Sequence, residues 1–163
     1  MNLKGNHSSK LYPANLNLDW RNLSLSERDK EYSPSSAIGG DYTPFIQKYI
    51  TESKLARSIV NSTKHQYGKK ESQIIEIAHT LNKKAKKNLD PLLVFFHGGY
   101  WQELSVKESF FPAINTIKNN IGFAAVEYTL APNASIDEIV DECKEAVNWL
   151  FLNSKMLGFD KNK

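Results

Sequence analysis

Two hydrophobic spacings alternate along the second half of the chain. Leu92, Leu93, Val94, Phe95 and Phe96 form an unbroken apolar run, which predicts a strand buried on both faces, as inside a parallel sheet. Phe123, Ala124, Ala125, Val126 and Glu127 predict a second buried strand. Between them the period lengthens. Phe110, Phe111, Ile114 and Ile117 mark one side of a helix, opened by Ser105 with Glu108 at capping-box spacing. Pro112 is too deep for a first turn capped by Ser105, so a kink or a later start is expected, and residues 119–122 close the helix. Ser135 and Glu138 repeat the capping box. Ile136, Ile139, Val140, Cys143, Ala146, Val147 and Leu150 then form a long apolar stripe, with Asp137, Glu138 and Asp141 near the positive helix start. Gly158 ends that helix. Strand, helix, strand, helix in this order argues for an α/β architecture, a mostly parallel sheet flanked by helices.

Upstream the pattern is less regular. Residues 1 to about 20 show no sustained period and are expected to form an irregular arm, with the domain proper spanning residues 21–163. Residues 23–32 predict a short surface helix ended by Ser33-Pro34. Thr43 and Pro44 suit the N-cap and first position of a helix carrying Phe45, Ile46, Tyr49, Ile50 and Leu55 to about Val60. Residues 63–81 stay open. Residues 67–72 read as a turn between strands, whereas Ile74, Ile75, Ala78 and Leu81 also fit a helical period.

Composition narrows the class. Of 163 residues, 40% are hydrophobic and 24% charged, as in a soluble globular chain. A formal charge of +3 does not argue for nucleic acid. Lys83, Lys84, Lys86 and Lys87 admit a nucleic-acid or targeting reading, but the modest charge favours a solvated loop before a buried strand. A lone Cys143 excludes an internal disulfide and sits on an apolar stripe, as a core thiol does. The N-terminus does not lead into an apolar signal segment, and no apolar run approaches the ~20 residues that span a bilayer. The expectation is a cytoplasmic protein with no membrane partner. No metal-ligand spacing and no cofactor motif stands out among His7, His65, His79 and the acids.

The candidate chemistry lies in His97-Gly98-Gly99-Tyr100-Trp101, directly after the first apolar run. Paired glycines there free the backbone to turn so that consecutive N–H groups face one spot, which suits an oxyanion hole. His97 could serve as a general base, but a hydrogen-bonding role in organising the loop is the better fit. Trp101 fits a pocket wall as well as ordinary packing, and Trp149 fits the core. Tyr128 and Pro132 are expected to shape a turn, with the tyrosine hydroxyl finding a local partner.

Residues 97–102 resemble the His-Gly-Gly-x-Trp motif of kynurenine formamidases (arylformamidases), members of the α/β-hydrolase superfamily. Residues 27–34 are similar to that family's Glu-Arg-…-Tyr-Ser-Pro element, residues 127–132 to the Tyr-x-Leu-Ala-Pro turn shared with related esterases, and residues 157–162 to the approach to the nucleophile strand. The resemblance implies that backbone N–H groups of Gly98, Gly99 and Tyr100 form part of an oxyanion hole, and that Tyr100 and Trp101 line the mouth of a pocket for an aromatic formamide or ester. The implied reaction is hydrolysis of N-formyl-kynurenine to kynurenine and formate, in tryptophan breakdown, by a serine, histidine and aspartate.

The serine belongs in a Gly-x-Ser-x-Gly elbow. None of the glycines at 5, 39, 40, 68, 98, 99, 122 and 158 pairs at that spacing. The resemblance therefore implies a partial α/β-hydrolase fold, the N-terminal portion, stopping before the nucleophile strand and inactive alone. That strand would flank residues 92–96, leaving an apolar strand edge open to self-association or to a C-terminal complementing half. A general carboxylesterase or lipase-like fragment, and a non-catalytic pseudoenzyme or half of a split enzyme, are the alternatives.

Overall fold

A computed structural model describes residues 19–80 and 90–163. The lysine run and all but the last two residues of the expected arm lie outside the described residues. The chain divides into two units, residues 1–42 and 43–163.

In the first unit, Asp19 accepts from the Arg21 N–H to cap a 3₁₀ turn, Trp20–Asn22. Ser24 and Glu27 form a reciprocal capping box that opens α1 (Leu25–Tyr32). Pro34 then occupies the first position of α2 (Pro34–Ala37), so Ser33-Pro34 ends one helix and begins another.

The second unit runs α3 (Thr43–Ile59), β1 (Ser62–Gln66), β2 (Ile74–Ala78), β3 (Leu92–Phe96), α4 (Val106–Ser109), α5 (Ala113–Lys118), β4 (Gly122–Val126) and α6 (Ile136–Leu157). The ambiguous stretch is a hairpin. Ile75 and Ile77 face one side of the sheet, Glu76 and Ala78 the other, and this alternation prevails over the helical spacing. Pro112 breaks the predicted single helix into α4 and α5. Strand order is β1-β2-β4-β3: β2 is antiparallel to both β1 and β4, whereas β3 and β4 are parallel.

Each face of the sheet has its own core. Phe123 and Ala125 meet Ala56, Val60, Phe110 and Ile117 from α3, α4 and α5 and their ends. Ala124 and Val126 meet Ala146, Leu150 and Leu157 of α6. Gly122 opens β4 because a Cβ there would collide with the Phe159 ring.

Two expectations need correction. The apolar run of β3 is not buried on both faces: Leu93 is 46% exposed, because β3 is the edge of the sheet. The α6 stripe is narrower than predicted. Ile139, Glu142, Ala146, Leu150, Ser154 and Leu157 are buried, while Ile136, Val140 and Val147 lie off that face and are exposed. Glu142 is buried because it accepts from Lys70 Nζ (2.8 Å) and from the Thr129 N–H (2.8 Å) and hydroxyl (2.9 Å). Burial would raise its carboxyl, but these bonds outweigh it and hold the carboxyl below its ordinary value. The half-buried Cys143 thiol is pushed up by burial and stays protonated.

Residues 159–163 lie along the outer flank of β3. Phe159 forms a parallel bridge with Asp90, the Asp160 N–H donates to the Asp90 carbonyl (2.9 Å) and the Leu92 N–H donates to the Lys163 carbonyl (3.3 Å). On the other side, Gly122 N–H donates to Pro91 O (2.8 Å), the start of the β3/β4 ladder. Among the described residues no helix is long and apolar enough to cross a membrane.

The most demanding polar feature is the buried Glu76 carboxylate. It receives two bonds from Arg57 Nε and one from Nη2 (2.9–3.2 Å) and one from the Ser62 hydroxyl (3.1 Å). Arg57 also donates to the Val106 and Lys107 carbonyls (2.9 and 3.0 Å) and lies over the Phe110 ring. Replacing Arg57 leaves an uncompensated buried charge. Arg57→Ala is expected to lower unfolding free energy by about 3 kcal/mol, read as a reduced urea midpoint; a loss within error would show that Glu76 is solvated without its partner.

Candidate functional site

β3 and β4 run in the same direction and end together, Phe96 opposite Val126. The next residues, His97 and Glu127, therefore meet at the C-terminal ends of adjacent parallel strands, where open α/β sheets carry their ligands. His97 Nε2 lies 3.0 Å from Glu127 Oε1. Both ring nitrogens face acceptors, Nε2 the Glu127 carboxylate and Nδ1 the Gly98 carbonyl at 2.9 Å; the carboxylate is the stronger acceptor, so Nε2 carries the hydrogen. The His97 ring stacks on Tyr128, centroids 4.3 Å apart and 6° from parallel, and the Tyr128 hydroxyl donates to the His97 carbonyl at 2.7 Å. Burial, with Cys143 and Glu127 nearby, pushes the Tyr128 phenol up to about 12, so it remains a donor at neutral pH.

Beyond His97 the backbone turns through unusual conformations. Gly99 has φ +111°, followed by Tyr100 at 52°, Trp101 at 59° and, after two residues, Leu104 at 67°. Three non-glycine residues in the left-handed region cost about 1 kcal/mol or more each. The Gly99 carbonyl closes the turn by accepting from the Gln102 and Glu103 N–H groups at 2.9 and 3.0 Å. The Trp101 carbonyl accepts from the Ala131 N–H at 2.8 Å, just before the cis Ala131–Pro132 bond. Gly98 is exposed and Gly99 half-exposed. Neither donates its N–H to a hydrogen bond among the described residues. The Tyr100 and Trp101 rings meet edge to face, centroids 6.5 Å apart, both largely exposed beside these donors.

The structure thus brings His97, Gly98, Gly99, Tyr100 and Trp101 together in one loop. It adds a residue that sequence reasoning missed, Glu127, whose signal was a carboxylate at the end of an apolar strand. His65 and His79 lie elsewhere, both at the Thr63 hydroxyl (2.8 and 3.0 Å). His7 lies outside the described residues. Trp149 is half-buried beside His65. Among the described residues no group of three His, Cys, Asp or Glu could hold a metal ion.

A mixed sheet with a parallel β3/β4 pair, helices on both faces and a glycine loop at the strand ends is a partial α/β-hydrolase fold. Residues 77–163, just over half of the chain, match the family model BD-FAE, and the chain belongs to that family. It is 30% identical over 137 residues to kynurenine formamidase of Danio rerio, an alignment covering 79% of this chain and 45% of that protein. The chain spans a little under half the length of that protein and of kynurenine formamidase of Salmo salar. A provisionally named thioesterase from Silicibacter sp. tm1040 superposes with a TM-score of 0.67 at 20% identity, covering 81% of this chain and 47% of that one. Esterase LipW from Mycobacterium marinum gives 0.57 at 16% identity, over 79% and 41%. At these identities the structural likeness is one of fold.

A Cβ at Gly99 would run into the Glu103 carbonyl oxygen, in a backbone region that side chains avoid. Gly99→Ala is expected to cost more than about 2 kcal/mol and to move Trp101 emission; an unchanged melt and spectrum would show that the loop relaxes freely.

Proposed function

We propose that this chain is the oxyanion-loop half of a serine hydrolase acting on aryl formamides, with N-formyl-kynurenine as the substrate type and kynurenine and formate as products. The observation that carries this reading is the pair of N–H groups at Gly98 and Gly99, exposed and half-exposed, that make no hydrogen bond among the described residues. Gly98 outside the left-handed region followed by Gly99 at +111° is the kind of alternation in which successive N–H groups share one anion-binding concavity. There they would receive the carbonyl oxygen as it gains negative charge. Tyr100 and Trp101 would flank the aromatic ring, and His97 would organise the loop. Similarity to kynurenine formamidases supports the formamide; the general carboxylesterase reading keeps the same loop and drops the aromatic preference. The 163 residues hold no Gly-x-Ser-x-Gly, so the reading assigns substrate contact to this chain and bond cleavage to groups it does not carry.

The outer flank of β3, paired only at its start, supports one more part of this reading. Residues 159–163 already run beside it, and Leu92, Val94 and Phe151 line a groove of about 130 Å³ there together with Asp160, Lys161 and Lys163. The occupant we assign is a strand parallel to β3 that brings the nucleophile, since parallel pairing continues the Asp90–Phe159 bridge.

Titrating the chain with N-formyl-kynurenine should perturb the Gly98 to Trp101 amides without releasing kynurenine. Trp101→Ala should weaken that binding about tenfold, or about 1.4 kcal/mol, and spare a small acetyl ester. Equal losses on both would undercut the formamide assignment. In light scattering, the chain alone is expected to self-associate through the exposed β3 edge; a clean monomer with a sharp two-state melt would count against the strand-acceptor assignment.

A further inference from the structure

We propose that Glu127 is the positioning residue of the glycine loop, holding both of its ends with one carboxylate. Oε1 takes the His97 Nε2–H at 3.0 Å, and Oε2 takes the Val106 N–H at 2.9 Å. His97 and Val106 are the residues immediately before and after the loop of residues 98–105. The clamp is itself immobilised: the Glu127 N–H donates to the Ile74 carbonyl and the Glu127 carbonyl accepts from the Tyr67 hydroxyl, each at 2.8 Å. The carboxylate thus references the loop to the rigid β2/β4 pairing.

The loop needs such a reference. Its three left-handed non-glycine residues persist only where the surroundings over-determine them. Within the loop, the Gly99 carbonyl closes the turn, the Gly98 carbonyl lies 2.9 Å from His97 Nδ1 and the Ser105 hydroxyl accepts from the Lys107 N–H at 3.1 Å; from outside it, residues 127–131 hold His97, Trp101 through Ala131, and Val106. Among these, Glu127 alone reaches both ends. Arg57 holds the Val106 and Lys107 carbonyls from the opposite side but does not touch His97.

The chemistry of the clamp is specific. A carboxylate offers an acceptor oxygen to each donor. An amide of the same size offers one, and its NH₂ would face the second N–H. Glu127 is also accessible: its side chain is 20% exposed and lines a cavity of about 360 Å³ with Lys64, Ser105 and Lys107. A small carboxylate could therefore enter where the side chain is removed.

The functional meaning of this role rests on the oxyanion-loop reading, but the experiment reads loop conformation without substrate, so the two can fail separately. In ¹⁵N-labelled full-length chain, Glu127→Ala should shift the Gly98 and Gly99 amide signals and abolish the slowly exchanging His97 Nε2–H signal. Excess acetate, but not chloride, should restore both. Glu127→Gln should stay folded, shift the same amides and gain nothing from acetate. A folded Glu127→Ala protein with wild-type Gly98 and Gly99 signals overturns the proposal, as does a loss that acetate leaves untouched. Should Glu127→Ala not fold, Glu127→Gln decides: unchanged loop signals overturn it.

Discussion

The parallel pairing of β3 with β4 is the constraint on which the candidate site depends. Two parallel strands that end in register deliver their following residues side by side, here His97 and Glu127. A one-residue slip would exchange the two faces of β3. It would turn Phe95 away from the Phe110 and Phe123 cluster and draw His97 off its carboxylate. The apolar alternation that builds two cores therefore also aligns the polar groups beyond the strand ends.

Two carboxylates connect that frame to the loop. Glu76, on the face of β2 opposite Ile75 and Ile77, fixes Arg57, and Arg57 reaches the α4 carbonyls. Glu127 reaches the first N–H of the same helix and the imidazole one strand away. The start of α4 is thus gripped on both its donors and its acceptors. Local conformational cost in residues 99–104 is offset in part by bonds made outside them, which is how strained functional backbone persists.

On the proposed reading, the chemistry divides along the sheet. The β3 side supplies donors for developing negative charge, and the nucleophile comes from a strand on β3's other flank. The groove beside Val94 and Phe151 and residues 159–163 along the edge lie on that flank. An oxyanion loop without a nucleophile binds but does not cleave, since electrostatic stabilisation acts only on a bond that something attacks.

Much of this was legible in residue order. The caps at Ser105 and Ser135, the break at Pro112, the stop at Gly158 and the strands β3 and β4 follow from local chemistry, which neighbouring residues decide between themselves. The loop at residues 97–101 was recognisable because glycine after an apolar run has few other uses. The hairpin over residues 62–78 was not, because Ile74, Ile75 and Ala78 satisfy two periods and only the β4 partner selects one. Glu127 could be seen to end a strand, but its bonds to His97 and Val106 cross 30 and 21 residues of chain. The sequence by itself determined the helices, the strands β3 and β4, and the family of the loop. Tertiary structure alone decided what holds that loop, because a carboxylate's partners depend on which strands lie side by side, and that is settled by packing both faces of the sheet at once.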